Sequence, residues 1–276
     1  MPLPTAALAG QDTLLACWRA LADTELGPGR LIETRHAIAA VFPDSAYFNN
    51  AILTAGIESA QAAAESVANV YAAAGIATWA LWVPSDATTF DHQADSLGAV
   101  GSLTRDVTTL AMHLTLPSAL RTDHRVTAVS STALRRLVAD EAVPANELGE
   151  PAASAPVTGW ALVEDGHTVA SAYTHRHGTD CGIYAVGTLP PWRRRGLARA
   201  LVEHILADAH NAGARSATLQ STPMGRPVYD ALGFRAVGRY EEWLHTPVPE
   251  PSPTLTGDTS STNDSGAHWT SGAAAC

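Results

Sequence analysis

An arginine-rich turn is the part of this sequence best suited to chemistry. An apolar run ends at Leu189-Pro190-Pro191-Trp192, and Arg193-Arg194-Arg195-Gly196-Leu197-Ala198 follows it and opens an amphipathic segment. This order predicts a strand that enters the N-terminus of a helix, where backbone N–H groups and the helix macrodipole favour an anion such as pyrophosphate. Gly196 lets the backbone approach that anion without a Cβ in the way. The alternative interpretation of the three arginines is an ordinary solvated helix start.

A second motif lies downstream of the turn. Thr188 to Ala198 is similar to the V-x-P-x-x-R-x-x-G-x-G/A segment of the GNAT family of N-acetyltransferases, and Tyr229-Asp230-Ala231-Leu232-Gly233-Phe234 is similar to that family's Y-x-x-x-G-F. The spacing between the two motifs also resembles the family. Three positions differ from the family pattern: Thr188 replaces a Val, Ala198 replaces the last Gly, and Thr222 with Gly225 replaces an N-x-x-A segment.

The resemblance implies a reaction and a co-substrate. In the family, the arginine turn binds the pyrophosphate of acetyl-coenzyme A (acetyl-CoA), and the acetyl group moves directly to an amine of a small molecule or peptide without a metal. The cofactor-binding residues that it implies are Val186, Gly187, Thr188, Arg193, Arg194, Arg195, Gly196, Leu197 and Ala198. The strand end at Val186 to Thr188 would pair with the pantetheine arm, and a backbone N–H near Thr188 and Leu189 would polarise the carbonyl.

Two further residues are predicted to move protons. By the resemblance, Tyr229 returns a proton to the departing thiolate, although the ring could instead only pack its helix against the sheet. For the base we predict Asp180, with His175 and His177 as alternatives because an imidazole titrates near neutral pH. Proton removal through water is an equal alternative.

Hydrophobic patterning predicts the elements that position these residues. The predicted strands are 125–129, 158–163, 168–175, 181–189, 217–220 and 235–244, and the predicted helices are 197–212 and 226–232. The resemblance implies an α/β fold of the GNAT acyl-CoA N-acyltransferase type, with a mixed, mostly antiparallel sheet flanked by helices.

The first half of the chain has a related order of elements. It contains predicted helices at 13–22, 57–74 and 90–97 and predicted strands at 76–83 and 107–116. This order suggests a tandem arrangement with a degenerate GNAT-like half, because the loop Leu53-Thr54-Ala55-Gly56 has no arginine. The predicted division is 1–120 for this half without a cofactor site, 121–246 for the acetyltransferase domain, and 247–276 for a disordered tail rich in Pro, Ser, Thr and Gly.

Composition narrows the classes of partner. The 276 residues carry a formal net charge of −10, which argues against nucleic acid and membrane surfaces and favours cationic amines. The 3 cysteines have no metal-ligand spacing, so we expect a reducing, cytoplasmic environment without a disulfide framework. A homodimer is left open. The alternative to the enzyme is a catalytically silent acyl-CoA-binding regulatory protein, which turnover and Tyr229 would distinguish from it.

Overall fold

One sheet of 11 strands organises the molecule. The computed structural model describes residues 5–23, 29–45, 48–90, 103–117, 120–138, 143–153 and 155–246. The strands are β1 (Arg30–Glu33), β2 (Ala37–Val41), β3 (Asn50–Leu53), β4 (Trp79–Ser85), β5 (Thr104–Thr115), β6 (Val126–Val129), β7 (Thr158–Glu164), β8 (His167–His177), β9 (Asp180–Thr188), β10 (Ser216–Ser221) and β11 (Arg235–His245). The helices are α1 (Thr5–Ala22), α2 (Ala60–Ala73), α3 (Ser131–Val138), α4 (Leu197–Asn211) and α5 (Arg226–Leu232).

The strand order is β1-β2-β3-β4-β11-β5-β10-β9-β8-β7-β6. All neighbours are antiparallel except β3 with β4 and β9 with β10. Each parallel pair is joined by a crossover helix, α2 in the first case and α4 in the second. The fold is therefore the mixed, mostly antiparallel α/β sheet flanked by helices that was predicted.

Helices cover both faces of the sheet. On one face, α1 and α3 pack with Leu14, Trp18 and Leu134 against the strands. On the other face, α4 and α5 cover one half of the sheet and α2 covers the other half. Successive side chains of a strand point to opposite faces of the sheet and so contribute to both cores. Leu110 and Met112 of β5 pack in the core under α4, while Ala111 between them packs in the core under α1.

The same unit occurs twice, with its last strands exchanged. Counting outward from the centre of the sheet, β11 and β5 lie side by side, followed by β4 and β10, β3 and β9, and β2 and β8. The last strand of the second half, β11, pairs with β4, and the last strand of the first half, β5, pairs with β10. Because one sheet continues through both halves, the predicted division at residue 120 stays a prediction.

The predicted elements of the second half are confirmed to within about two residues at most ends. β1, β2 and β3 of the first half and α3 of the second half were not predicted. The β2 sequence, Ala-Ile-Ala-Ala-Val, contains mainly alanine, which favours helices. Most of the predicted helix at 90–97 and the whole predicted tail at 247–276 lie outside the described residues.

Candidate active site

The parallel strands β9 and β10 separate at the end that leads to the arginine turn. Their pairing covers only Asp180 to Gly182 on β9 and Ser216 to Thr218 on β10. Beyond these pairs β9 continues to Thr188, still paired with β8 on its other edge. A bulge in β9 marks the separation, and Ala185 there has a φ of 50° in the left-handed region. The edge of β9 that faces β10 is thus left open for a ligand.

The arginine turn follows this open edge directly. A short 3-10 helix (Pro190–Trp192) leads into Arg193, and then Arg194 (φ 63°) and Gly196 (φ 78°) adopt the left-handed conformation before α4 begins. Successive N–H groups in such a turn form a concave anion-binding surface. The first helical bond runs from the Ala200 N–H to the Gly196 carbonyl, and within the described part of the chain the N–H groups of residues 194–199 have no acceptor. The turn is therefore a set of free donors at a helix N-terminus.

Two of the arginines hold the turn in place. The Arg193 Nε donates to the Thr188 carbonyl oxygen at 3.0 Å, which joins the turn to the end of β9. The Arg195 guanidinium lies 4.7 Å from the centre of the Trp192 ring. All three arginine side chains are exposed, so the free N–H groups sit in a positively charged surface.

The structure brings the nine predicted cofactor-binding residues together at one end of the sheet. Val186, Gly187 and Thr188 end β9, and the other six form the turn and the first residues of α4. Leu197 is buried in the core under α4, so it can contribute only its backbone N–H. A Cβ at Gly196 would meet no atom within 4 Å, which leaves the space over the turn open. These residues fit a pyrophosphate followed by an extended pantetheine arm.

Tyr229 lies on α5 beside the end of β10. Its ring contacts Phe234 edge-on at 5.8 Å between centres, and a Cβ at Gly225 would lie 3.1 Å from the ring. Burial raises the pKa of the Tyr229 phenol, so the hydroxyl keeps its proton at neutral pH. Among the residues with described positions, none forms a hydrogen bond with this hydroxyl. The packing role and an available proton are therefore compatible.

Thr222 shows why this chain can differ from the family at that position. Its Oγ1 accepts a hydrogen bond from the Gly225 N–H, and its carbonyl accepts from the Arg226 N–H. Thr222 thus closes the turn that leads into α5, a role that the sequence alone did not indicate.

The three predicted base candidates lie at the far end of the sheet. Asp180 begins β9, and the eight residues from there to Thr188 span roughly 26 Å. Asp180 is buried and accepts hydrogen bonds from the hydroxyls of Thr13 (2.7 Å), Ser216 (2.7 Å) and Thr218 (2.6 Å). It therefore joins α1, β9 and β10, and its distance from the turn and its three hydrogen bonds argue against the catalytic role predicted for it.

The histidine candidates share this distant position. His175 pairs with Gly182 near the start of β9, and its Nδ1 lies 2.7 Å from the Pro156 carbonyl oxygen. Burial lowers the pKa of His175, and His177 lies opposite Asp180. A cavity of about 330 Å³ at this end includes Cys181, whose thiol pKa burial raises to about 12. The thiol is therefore protonated and unsuited to nucleophilic attack.

The first half lacks the geometry of the arginine turn. Its parallel strands pair from Asn50 to Ile52, and β3 ends one residue later, so β3 has no long unpaired edge like that of β9. After β3, the Glu58 carboxylate lies against Gly56, where a Cβ would collide with it. A negative side chain therefore lies at the start of the crossover helix, and the absence of a cofactor site in this half stays a prediction.

Comparison with known proteins finds a family match in the second half. Residues 129–244 match the family model described as an acetyltransferase (GNAT) domain. This segment is therefore similar to GNAT acetyltransferase domains. No curated protein matches the chain.

Solved structures share the fold over most of the chain. A GCN5-related N-acetyltransferase from Kribbella flavida aligns with a TM-score of 0.61 and 17% identity over 88% of this chain and 96% of that one. A GNAT-family protein from Novosphingobium aromaticivorans aligns with a TM-score of 0.51 and 17% identity over 83% of this chain and 95% of that one. These identities show the fold alone, but the coverage extends the likeness from the GNAT-like segment into the first half.

Metal ligands and membrane-spanning helices are the remaining features of interest. Within the described ranges there is no group of three or more His, Cys, Asp or Glu residues that could hold a metal ion. Nor does any helix described by the structure have the length and apolar character to span a membrane.

Proposed function

We propose that this protein is an N-acetyltransferase that moves an acetyl group from acetyl-CoA directly to an amine of a small molecule or peptide. The observation that carries the proposal is the turn at residues 194–199, whose free N–H groups lie at the open edge of β9 inside the GNAT-like segment. We further expect the reaction to take place in the cytoplasm.

Backbone groups would do most of the binding. The N–H groups of the turn would hold the pyrophosphate, and the open edge at Val186 to Thr188 would pair with the pantetheine arm as an added strand. The Leu189 N–H already donates to the Val169 carbonyl, so it is not available to polarise a substrate. Because donors alternate between the two edges of a strand, the Thr188 N–H faces the opening and is the better donor for the thioester carbonyl.

Acetyl-CoA, when bound, would supply the acetyl group as an activated thioester. Tyr229 would hold a proton on its Oη and give that proton to the sulfur as the carbon–sulfur bond breaks. Its placement on α5, beside the end of β10, supports this role, because α4 and α5 flank the opening from the same face of the sheet. The acceptor would then enter from the α1 face.

A calorimetric titration with acetyl-CoA tests the binding half of this proposal. The double substitution Arg194→Glu with Arg195→Glu should weaken binding by at least about 10-fold, because it reverses two charges beside the phosphate donors. Arg193 is left intact because it anchors Thr188. Arg215→Glu is the matched control, since Arg215 is an exposed arginine at the opposite end of the sheet.

Each result separates the alternatives. Absence of binding in the unsubstituted protein would contradict the proposal, as would equal losses for the double variant and the control. Tight binding without thiol release in the presence of amines would instead favour the silent acyl-CoA-binding protein.

A further inference from the structure

Glu242 is a buried carboxyl in the middle of the sheet. It lies on β11 between β4 and β5, directly opposite Trp82, and only 8% of its surface is exposed. Its neighbour two residues earlier, Tyr240, packs in the core under α1 together with Trp82. Since alternate residues of a strand share a face, Glu242 points to the α1 face. This is the face opposite α4, α5 and the arginine turn.

The pairing registers place Glu242 at the same end of the sheet as the turn. One row of the sheet contains Gly182 of β9, Thr218 of β10, His113 of β5 and Arg235 of β11. Thr188 lies six residues beyond this row and Glu242 lies seven beyond it, with two register shifts in the β11–β5 pairing on the way. Since β10 ends at Ser221, only β5, about 4.8 Å wide, lies between β11 and the opening at this height.

The charges around Glu242 are negative. The cations of this region pair with the adjacent Glu241, which lies 2.6 Å from Arg239 and 3.8 Å from Arg105. Among the residues whose positions are described, Glu242 has no cationic partner. The charged or titratable groups facing this region are Asp106 on β5, Asp12 on α1 and Tyr240 on β11. Burial, with a smaller contribution from Asp106, raises the pKa of Glu242 to about 8.

Aromatic rings surround the same place. Trp82 lies 5.5 Å from Tyr240 and 6.1 Å from Trp18 between ring centres. An ammonium ion is attracted both by a carboxylate and by aromatic rings. The unpaired carboxyl of Glu242 and the rings around it therefore suit an ammonium ion.

We propose that Glu242 takes the proton from the ammonium group of the acceptor, and that the acceptor is a cationic amine which enters from the α1 face. This inference rests on the proposed function. The proton moves from the ammonium nitrogen to a carboxylate oxygen of Glu242 and then to solvent. The freed lone pair forms the nitrogen–carbon bond while the carbon–sulfur bond breaks. The sulfur leaves with the proton of Tyr229, which regains one from the acylated nitrogen, so that one proton is released overall.

The position of Glu242 puts the proposed base and the proposed acid on opposite faces of the sheet. Tyr229 lies on the α4 and α5 face, where the turn would hold the co-substrate, and Glu242 lies on the α1 face. The acid and the base therefore approach the opening from opposite sides. Neither group would compete with the other for the same proton.

The test compares thiol release from acetyl-CoA in the full-length protein and three variants, with n-butylamine and a lysine-containing tripeptide as probes. Glu242→Gln keeps the shape of the side chain and removes its basicity. We expect it to lower turnover by about 100-fold or more while the acetyl-CoA Kd changes by less than about 2-fold. Glu33→Gln, a substitution of an exposed carboxylate, is the control and should leave both unchanged.

The pH profile provides a readout that a structural role would not change. Turnover of the unsubstituted protein should rise with pH through about pH 8, because only the carboxylate form accepts a proton. This rise should disappear in Glu242→Gln and move to lower pH in Asp106→Asn, which removes a repelling charge. Full turnover in Glu242→Gln, or an unchanged pH rise in either variant, would overturn the assignment while leaving the proposed function intact. Absence of amine-dependent thiol release in the unsubstituted protein would overturn both.

Discussion

At the scale of single residues, the site separates side chains that pack from side chains that exchange protons. The Tyr229 ring packs against Phe234, while its hydroxyl is available to exchange a proton. Glu241 and Glu242 are adjacent in sequence, yet one is held by two arginines and the other has no cation among the described residues. Burial and partners, rather than residue type, therefore decide which group can carry chemistry.

Replacing Tyr229 by Phe tests this separation. The variant should fold normally because the ring contacts remain, and its acetyl-CoA Kd should be unchanged in calorimetry. Turnover should fall by about 10-fold to 100-fold because the sulfur loses its proton donor. Tyr71→Phe is the control, since the Tyr71 hydroxyl donates to the Ala40 carbonyl far from the turn and its loss should affect only stability. If Tyr229→Phe turns over like the unsubstituted protein, the role of Tyr229 is packing alone.

At the scale of elements, the junction between β9 and α4 depends on two left-handed residues. Gly196 is the second of them, and it precedes the first residue of α4. The sequence predicted this junction from its glycine and its apolar periodicity. It did not predict the open edge, because the early end of the β9–β10 pairing depends on a bulge at Ala185.

Gly196→Ala should impair binding, because the added Cβ would stand in the open space over the turn where the pyrophosphate is expected. An alanine in this conformation costs about 1 to 2 kcal/mol, although no atom lies where its Cβ would stand. Gly166→Ala is the matched control because Gly166 has the same φ of 78°, equally open space, and a position in the β7–β8 turn. Urea unfolding should show similar losses of stability for the two variants, and calorimetry should show weaker acetyl-CoA binding only for Gly196→Ala. Equal binding by both variants would mean that the turn does not hold the pyrophosphate.

At the scale of the whole molecule, the central strands explain what could not be predicted. Except for α3, the strands and helices from β6 to β11 followed from local alternation and periodicity, and the motifs located the turn. The exchange of β5 and β11 depends on pairing between residues more than a hundred positions apart, which local patterns do not encode. Glu242 was missed for the same reason, because its burial follows from the position of β11 between β4 and β5 rather than from its own sequence.

The shared sheet predicts that both halves unfold together. Because β11 lies between two strands of the first half, and β5 between two strands of the second, neither half can unfold without exposing the other. Val67 on α2 and Val202 on α4 are both fully buried, one in each half. Val67→Ala and Val202→Ala should each lower the free energy of unfolding by about 2 kcal/mol. Circular dichroism and tryptophan fluorescence should report one coincident urea transition, shifted similarly in both variants. A transition that divides in two, with each substitution moving only one part, would show that the halves are separate folding units despite the exchanged strands.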